Sequence, residues 1–299
     1  MSETTGYLAP EGFIDDLVTE LGADVREVHG RLVLADGPER AIAWAANVWR
    51  APQRVPITSI GDGAGKLRAI QRNWALYSHA NHRRAALIAE RLPKVSAKPI
   101  AFGAALPAAP LGSWTLLAPD TMLASASCSS ACPHGEMAFV EDRHSSPSRA
   151  YLKLWEVFTR LGVRPAPGEL CLDLGACPGG WTWVLASLGA RVISIDKAPL
   201  DPRIAAMPGV EFRQSSAFGL DPREVDPVDW LCSDVICYPA RLLTLVQRWI
   251  KAGKARRFVC SVKFQGATDF AVIDAFKAIP GSLLMHLSHN KHELTWVKL

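Results

Sequence analysis

From Glu169 to Trp181 the chain reads ELCLDLGACPGGW. An apolar run ends at Asp173 and breaks into a turn containing Gly175, Pro178, Gly179 and Gly180 before helix-forming residues resume. Six of the seven residues from Gly175 to Trp181 are glycine, proline or small. That composition is entropically costly unless the bare backbone serves a ligand. A glycine-rich turn between a strand and a helix forms the crevice of an open α/β sheet, where N–H groups approach a bound nucleotide-like molecule. Asp196 follows 21 residues after Gly175, at the end of the next apolar run. A carboxylate there suits ribose hydroxyls. NAD and S-adenosylmethionine sites share these features, but GxGxxG is absent and the turn is G-x-x-P-G-G. Asp173 in front of the turn would repel a diphosphate and suit a sulfonium. The pattern points to S-adenosylmethionine.

Two other clusters carry less. Cys128-x3-Cys132-x-His134 has metal-type ligands but no fourth at regular spacing, whereas structural zinc needs a closed set of four, so no metal is expected. Gly61-Asp-Gly-Ala-Gly-Lys66 resembles a phosphate loop, yet Ile60 and Leu67 stand where that loop needs Gly and Ser or Thr.

The elements that must position these residues fall into two halves. The 299 residues are 49% hydrophobic and 21% charged, with 33 Lys and Arg against 29 Asp and Glu, net +4. Such a chain can bury enough apolar surface to fold, which excludes disordered and collagen-like classes. No apolar run is long enough to span a membrane. The start, MSETTGYLAP, has no basic and apolar leader, so a cytoplasmic protein with reduced thiols is expected. Residues 1–150 carry 15 basic and 15 acidic side chains, but residues 51–100 alone carry nine and two. A local basic block of this kind fits a polyanion.

In the first half, Phe13, Ile14, Leu17, Val18 and Leu21 are spaced for a helix, and Val25 to Leu34 alternates around Gly30 as a hairpin. Ala41 to Trp49 predicts a second helix. Helix signals dominate Lys66 to Leu92, where Arg68, Arg72, His79 and Arg83 fall on one stripe. Four prolines between Pro93 and Pro110 mark a loop, Trp114 to Ala118 a strand, and Ser125 to Ser148 an irregular linker. After a boundary near residue 145, short apolar runs at 170–174, 191–195, 210–213, 230–233 and 257–262 alternate with helical stretches. This predicts a Rossmann-like α/β domain with a mostly parallel seven-stranded sheet, following a smaller α+β domain. The last two runs, 282–287 and 294–298, lack an intervening helix and predict an antiparallel edge hairpin.

Five motifs in the second half resemble the FtsJ-type ribose 2′-O-methyltransferases: SPSRAYLKLWE at 146–156, LDLGACPGGWT at 172–182, LCSDV at 231–235, CSVKFQG at 260–266 and HNKHELTW at 289–296. Within that family the resemblance is strongest to the branch that methylates a cytidine ribose in 23S ribosomal RNA. It covers about 145–299 and implies a methyltransferase domain over 146–299. It also implies a catalytic tetrad of Lys153, Asp234, Lys263 and Glu293, with S-adenosylmethionine held by Asp173, Gly175, Cys177, Pro178, Gly179, Gly180, Trp181, Asp196, Ser215 and Asp234. The opening LAPEGFIDDLVTELG is similar to that branch's N-terminal region, which is related to RNA-binding THUMP domains. Residues 1–145 are accordingly expected to bind RNA, without metal or membrane. Two positions depart from the family. Ser215 or Ser216 stands where an acidic residue contacts adenine, and Ala150 where a serine is found.

The chemistry implied is methyl transfer to a ribose hydroxyl, a poor nucleophile that needs a proton acceptor. Lysine serves as one only when burial or a second cation lowers its pKa. Two carboxylates in the same site work in the opposite direction. A cap or other RNA 2′-O-methyltransferase would use the same tetrad, and an idle RNA-binding assembly factor would need neither Lys263 nor Asp234. Calorimetry should show binding of S-adenosylmethionine and its demethylated product but not of NAD. Asp196→Ala should weaken that binding, and unchanged affinity would remove Asp196 from the site.

Overall fold

The computed structural model describes residues 3–299, whose contacts divide the chain into a first unit, Met1–Ala138, and a second, Phe139–Leu299. The first unit runs β1 (Thr4–Leu8), α1 (Ile14–Leu21), β2 (Val25–His29), β3 (Leu32–Asp36), β4 (Asn47–Arg50), β5 (Gln53–Pro56), α2 (Ile60–Ile70), β6 (Trp74–Leu76), α3 (His82–Ala89), β7 (Gly112–Ala118), β8 (Thr121–Ser125) and β9 (Ser127–Cys128). Two sheets result, in the orders β2-β3-β1-β4-β9 and β5-β8-β7-β6. The α1 helix, the β2–β3 hairpin and the β7 strand lie where the sequence predicts them. Strand β1 gives no alternation in the sequence because Thr5, Tyr7 and Leu8 are all buried between two antiparallel neighbours.

Two expectations are corrected here. Ala41–Trp49 is not a helix. The Glu20 carboxylate accepts the Ala43 and Trp44 amides at 2.8 and 2.9 Å, and the Trp44 ring stacks on Phe13 at 4.9 Å. Val48 and Trp49 then pair with β1, so sheet pairing overrides a weak helical periodicity. The Lys66–Leu92 stretch is likewise broken. The Trp74 indole donates to the carbonyls of Leu67 and Gln71, closing the end of α2, and Trp74–Leu76 becomes a strand beside β7. Arg68 lies in α2 and Arg83 in α3, with Arg72 and His79 in the connections. The basic residues therefore share no single helical stripe.

Gly61–Lys66 falls inside α2, which Ser59 caps by accepting the Asp62 amide at 3.1 Å, while Lys66 pairs with Asp62 at 2.9 Å. Cys128 sits in β9 and Cys132 precedes the short turn holding His134, whose ring meets Tyr77 edge-on at 6.2 Å. Among the described residues no group of three or more His, Cys, Asp or Glu side chains is placed to hold a metal ion. Nor is any helix long and apolar enough to cross a membrane.

The second unit runs α4 (Tyr151–Leu161), β10 (Leu170–Leu174), α5 (Gly180–Ser187), β11 (Arg191–Asp196), α6 (Pro202–Ala205), β12 (Val210–Gln214), β13 (Val228–Ser233), α7 (Pro239–Ala252), β14 (Ala255–Lys263), α8 (Phe270–Lys277), β15 (Ser282–Met285) and β16 (Glu293–Lys298). Its seven strands order as β12-β11-β10-β13-β14-β16-β15. The pairs from β12 to β14 are parallel, and β16 runs antiparallel to both its neighbours. This is the expected mostly parallel, Rossmann-like sheet. Its last two strands form the expected antiparallel edge hairpin, with β16 the inner strand beside β14 and β15 the outer one. The burial pattern gives the reason, since Glu293–Val297 are all buried whereas β15 is half exposed.

One buried carboxylate fixes α4 against this sheet. Glu156 is fully buried and accepts the Ser288 amide at 2.9 Å and its hydroxyl at 3.0 Å, while pairing with Arg160 at 2.6 Å. It thereby ties α4 to the loop that leads into β16. Removing it would take this fully buried acceptor from the Ser288 amide and hydroxyl and from Arg160, so Glu156→Ala should cost roughly 3 kcal/mol. Urea unfolding measures this, and a change within error would mean that the tie is dispensable.

Candidate active site

In open α/β sheets a crevice opens beyond the carboxyl ends of the strands where the strand order reverses. Here that point lies between β10 and β13. A cavity of about 420 Å³ occupies it, lined by Gly175–Pro178, Gly180, Trp181, Asp196, Asp234–Ile236, Lys263, Ser148 and Ala150. Its size is in the range of small-molecule and cofactor sites.

The turn after β10 owes its shape to its glycines. Gly175 has φ +80°, and a Cβ there would fall 2.7 Å from that of Val235. The Cys177–Pro178 peptide is cis. Asp196 holds the turn from the next strand: one carboxylate oxygen accepts the Cys177 amide at 3.0 Å and the other the Ala198 amide at 2.9 Å. Each oxygen keeps a lone pair, so the same carboxylate can still take a ligand hydroxyl. The buried Trp181 donates its indole N–H to the Ala150 carbonyl at 2.9 Å, which aligns the start of α4 with the turn. A backbone carbonyl makes that contact, so alanine at position 150 preserves it. The Ser148 hydroxyl is buried in the cavity wall without a protein partner, leaving it available to a ligand.

The four residues from separate motifs meet at the same crevice. Lys153 Nζ lies 2.8 Å from Asp234 Oδ1 and 2.8 Å from Glu293 Oε1, and Lys263 Nζ lies 3.1 Å from Asp234 Oδ1. Lys263 also donates to the Asp234 backbone carbonyl. Side-chain exposures of 10% for Lys153, 8% for Glu293, 17% for Asp234 and 19% for Lys263 place the first two inside and the last two at the cavity. Each arrives by a different route. Lys153 projects from α4, Asp234 follows β13, and Lys263 and Glu293 are directly opposed across the β14–β16 pair.

Burial opposes the charge on Lys153, but Asp234 and Glu293 outweigh it and raise its pKa. Burial likewise opposes ionisation of Asp234, and the two lysines outweigh it and lower its pKa. For Lys153 the carboxylates therefore win over the neighbouring cation. The stability from its pairs persists through neutral pH and is lost as pH rises past the lysine range; that from Asp234 is lost as pH falls through the acid range.

Three residues expected at the cofactor stand elsewhere. Asp173 is completely buried and accepts from Thr182 Oγ1 at 2.7 Å, so it supports the turn from beneath instead of lining the cavity. Gly179, at φ +115°, packs against Ile204. Ser215 exposes its side chain, and only its amide, donated to the Asp196 carbonyl at 2.9 Å, joins the site's frame. The sequence gives no separate signal for Ser148, Glu156 or Ile236, although Ser148 and Glu156 lie within the SPSRAYLKLWE motif.

Burial pushes the Asp173 carboxyl up to about 7, against the Thr182 hydrogen bond that favours its charged form. A folded pKa above the ordinary value near 3.9 means stability that is fully present below about pH 4 and lost as pH rises through about 7. Asp173→Asn should therefore gain on the wild type by a few kcal/mol between pH 4 and pH 8, read by urea unfolding across that range. A pH-independent difference would show that Asp173 does not titrate there.

Residues 147–275 match the FtsJ-like methyltransferase family. Ribosomal RNA large subunit methyltransferase M of Halorhodospira halophila is 43% identical over 122 residues, covering 40% of this chain and 35% of that protein. The protein of the same name from Aromatoleum aromaticum is 33% identical over 164 residues, covering 50% and 44%. The chain thus matches less than half the length of these relatives. Among solved structures, TrmN from Thermus thermophilus aligns over 99% of both chains with a TM-score of 0.38 and 16% identity. The crevice with its glycine turn and most of the four-residue charge network lies in the segment, residues 147–275, that matches the FtsJ-like methyltransferase family.

Proposed function

We propose that this chain is an S-adenosylmethionine-dependent methyltransferase that modifies a ribose 2′-hydroxyl in RNA, with large-subunit (23S) ribosomal RNA in the cytoplasm as its substrate. The observation that carries the reading is the Lys153–Asp234–Lys263–Glu293 network at the mouth of the switch-point cavity. The names of the relatives support ribosomal RNA as the substrate. An idle RNA-binding factor would gain nothing from keeping four charges paired at the cavity, two of them buried. In the same reading residues 1–145 deliver the RNA, as a THUMP-related unit whose basic residues from Lys66 to Lys98 contact phosphates.

S-adenosylmethionine, when bound, supplies an electrophilic methyl group. The cavity offers it the backbone of Gly175–Pro178, the Asp196 carboxylate for ribose hydroxyls and the unpartnered Ser148 hydroxyl. Asp234 places a carboxylate at the same wall, complementary to a sulfonium. An ammonium has three N–H groups, and Asp234 engages two of those of Lys263. The third position is left for the attacking hydroxyl. Lys263, as the neutral amine, accepts the hydroxyl proton, and Lys153 is kept cationic by its two carboxylates. Glu293 holds Lys153 in place.

General-base catalysis contributes typically about 10²–10⁴-fold. Lys263→Arg keeps the charge but cannot release a proton near neutral pH. In single-turnover methylation at saturating donor it should lose activity by that factor while binding the donor normally. Near wild-type rates would remove Lys263 from the base role. Ribose-methylation mapping of total RNA with and without the gene identifies the target, and an unchanged map would overturn the reading.

A further inference from the structure

The loop leaving β13 carries Asp234 into the cavity and then presents two large apolar side chains to solvent. Ile236 is 78% exposed and lines the cavity rim; Tyr238 is 68% exposed. Four residues of chain span at most about 14 Å, so both stand close to the reacting groups. Tyr238 immediately precedes α7 and its side chain makes no capping bond. Three residues further on, the guanidinium of Arg241 lies over the Phe218 ring, 3.8 Å from its centroid. Arg248 holds the Phe218 segment in place by donating to its carbonyl at 3.2 Å. Among the described residues Arg241 forms no ion pair, although it is exposed.

An exposed ring, an exposed aliphatic side chain and an arginine preset by stacking form a combination that a single-stranded nucleotide matches. The base gains by stacking, and the phosphate gains a cation that has already lost its rotamer freedom. We propose that Ile236, Tyr238 and Arg241 form the acceptor shelf: an unpaired nucleobase beside the reacting ribose stacks on Tyr238 and Ile236, and an adjoining phosphate pairs with Arg241. The shelf rests on the reading that RNA is the methyl acceptor, and it specifies that the acceptor is single-stranded at the target. Stacking tolerates any base, so the shelf holds the nucleotide without choosing it.

The test uses the full chain loaded with S-adenosylhomocysteine and a short, fluorescently labelled single-stranded oligoribonucleotide, followed by anisotropy. Tyr238→Ala should weaken binding by about 5- to 100-fold, the factor that loss of one stacked base implies. Tyr238→Phe should recover most of that loss, because the ring is needed and the hydroxyl is not. Arg241→Ala should weaken binding and lower the salt dependence by about one phosphate contact. Leu283→Ala, an exposed apolar residue on the edge strand β15, should change nothing. In methylation assays the Tyr238→Ala loss should appear as a higher half-saturating RNA concentration. Unaltered oligonucleotide binding in Tyr238→Ala and Arg241→Ala overturns the shelf, whether or not the wild type methylates RNA. Loss of binding in those variants with no ribose methylation by the wild type supports the shelf and overturns the enzymatic reading. If Tyr238→Ala instead abolishes self-association in sedimentation while sparing RNA binding, the patch is a protein contact and the shelf is overturned.

Discussion

Two ammonium groups and two carboxylates share a largely dehydrated crevice, and each needs the others. Moving a lone ion from water into such surroundings costs several kcal/mol, which is recovered only when opposite charges and hydrogen bonds meet it with good geometry. Lys153 lies 2.8 Å from both carboxylates, and Asp234 in turn holds Lys263. The alternation of signs keeps Asp234 ionised and Lys153 protonated despite burial. Lys263, the more exposed of the two lysines, borders the cavity itself.

The scaffold exists to bring those charges together from four places in the chain. Parallel strands deliver Asp196, Asp234 and Lys263 to one edge of the sheet, because every parallel strand ends there. Glu293 comes from the other direction. It begins β16, which runs antiparallel, so its first residue faces the last residue of β14. An edge position for β16 would have left Glu293 in water, two strands from Lys263. Helix α4 adds Lys153, held at its start by the Trp181 indole and a turn further on by Glu156. The donor turn and the charge network are thus one mechanical unit, joined through Trp181 and Ala150.

Asp173 and Asp196 show how similar residues acquire different duties from their surroundings. Both are aspartates in apolar strands that lead to the crevice. Asp196 is at the strand end, partly exposed, with two backbone amides donating to it. Asp173 lies one residue before its strand's end, points into the core, and finds one hydroxyl. The difference in hydration and partners decides which can meet a ligand.

The sequence by itself determined the Rossmann-like half and the glycine turn with Asp196, while the four charged residues came from the resemblance of their motifs to the FtsJ-type family. Buried parallel strands are continuous apolar runs, and a ligand-binding turn needs glycine where a side chain would collide, so both leave a local mark in composition. What only the tertiary structure decided was long-range. The place of β16 depends on which side of the sheet is more buried, and no local pattern encodes it. The inward turn of Asp173, the clamp by Glu156 and the breakup of Lys66–Leu92 by the Trp74 indole each depend on a partner distant along the chain or in another element. In the first unit, short segments with weak periodicity yielded to the sheet pairing available to Val48 and Trp49. Local propensity is worth tenths of a kcal/mol per residue, and a buried contact exceeds it.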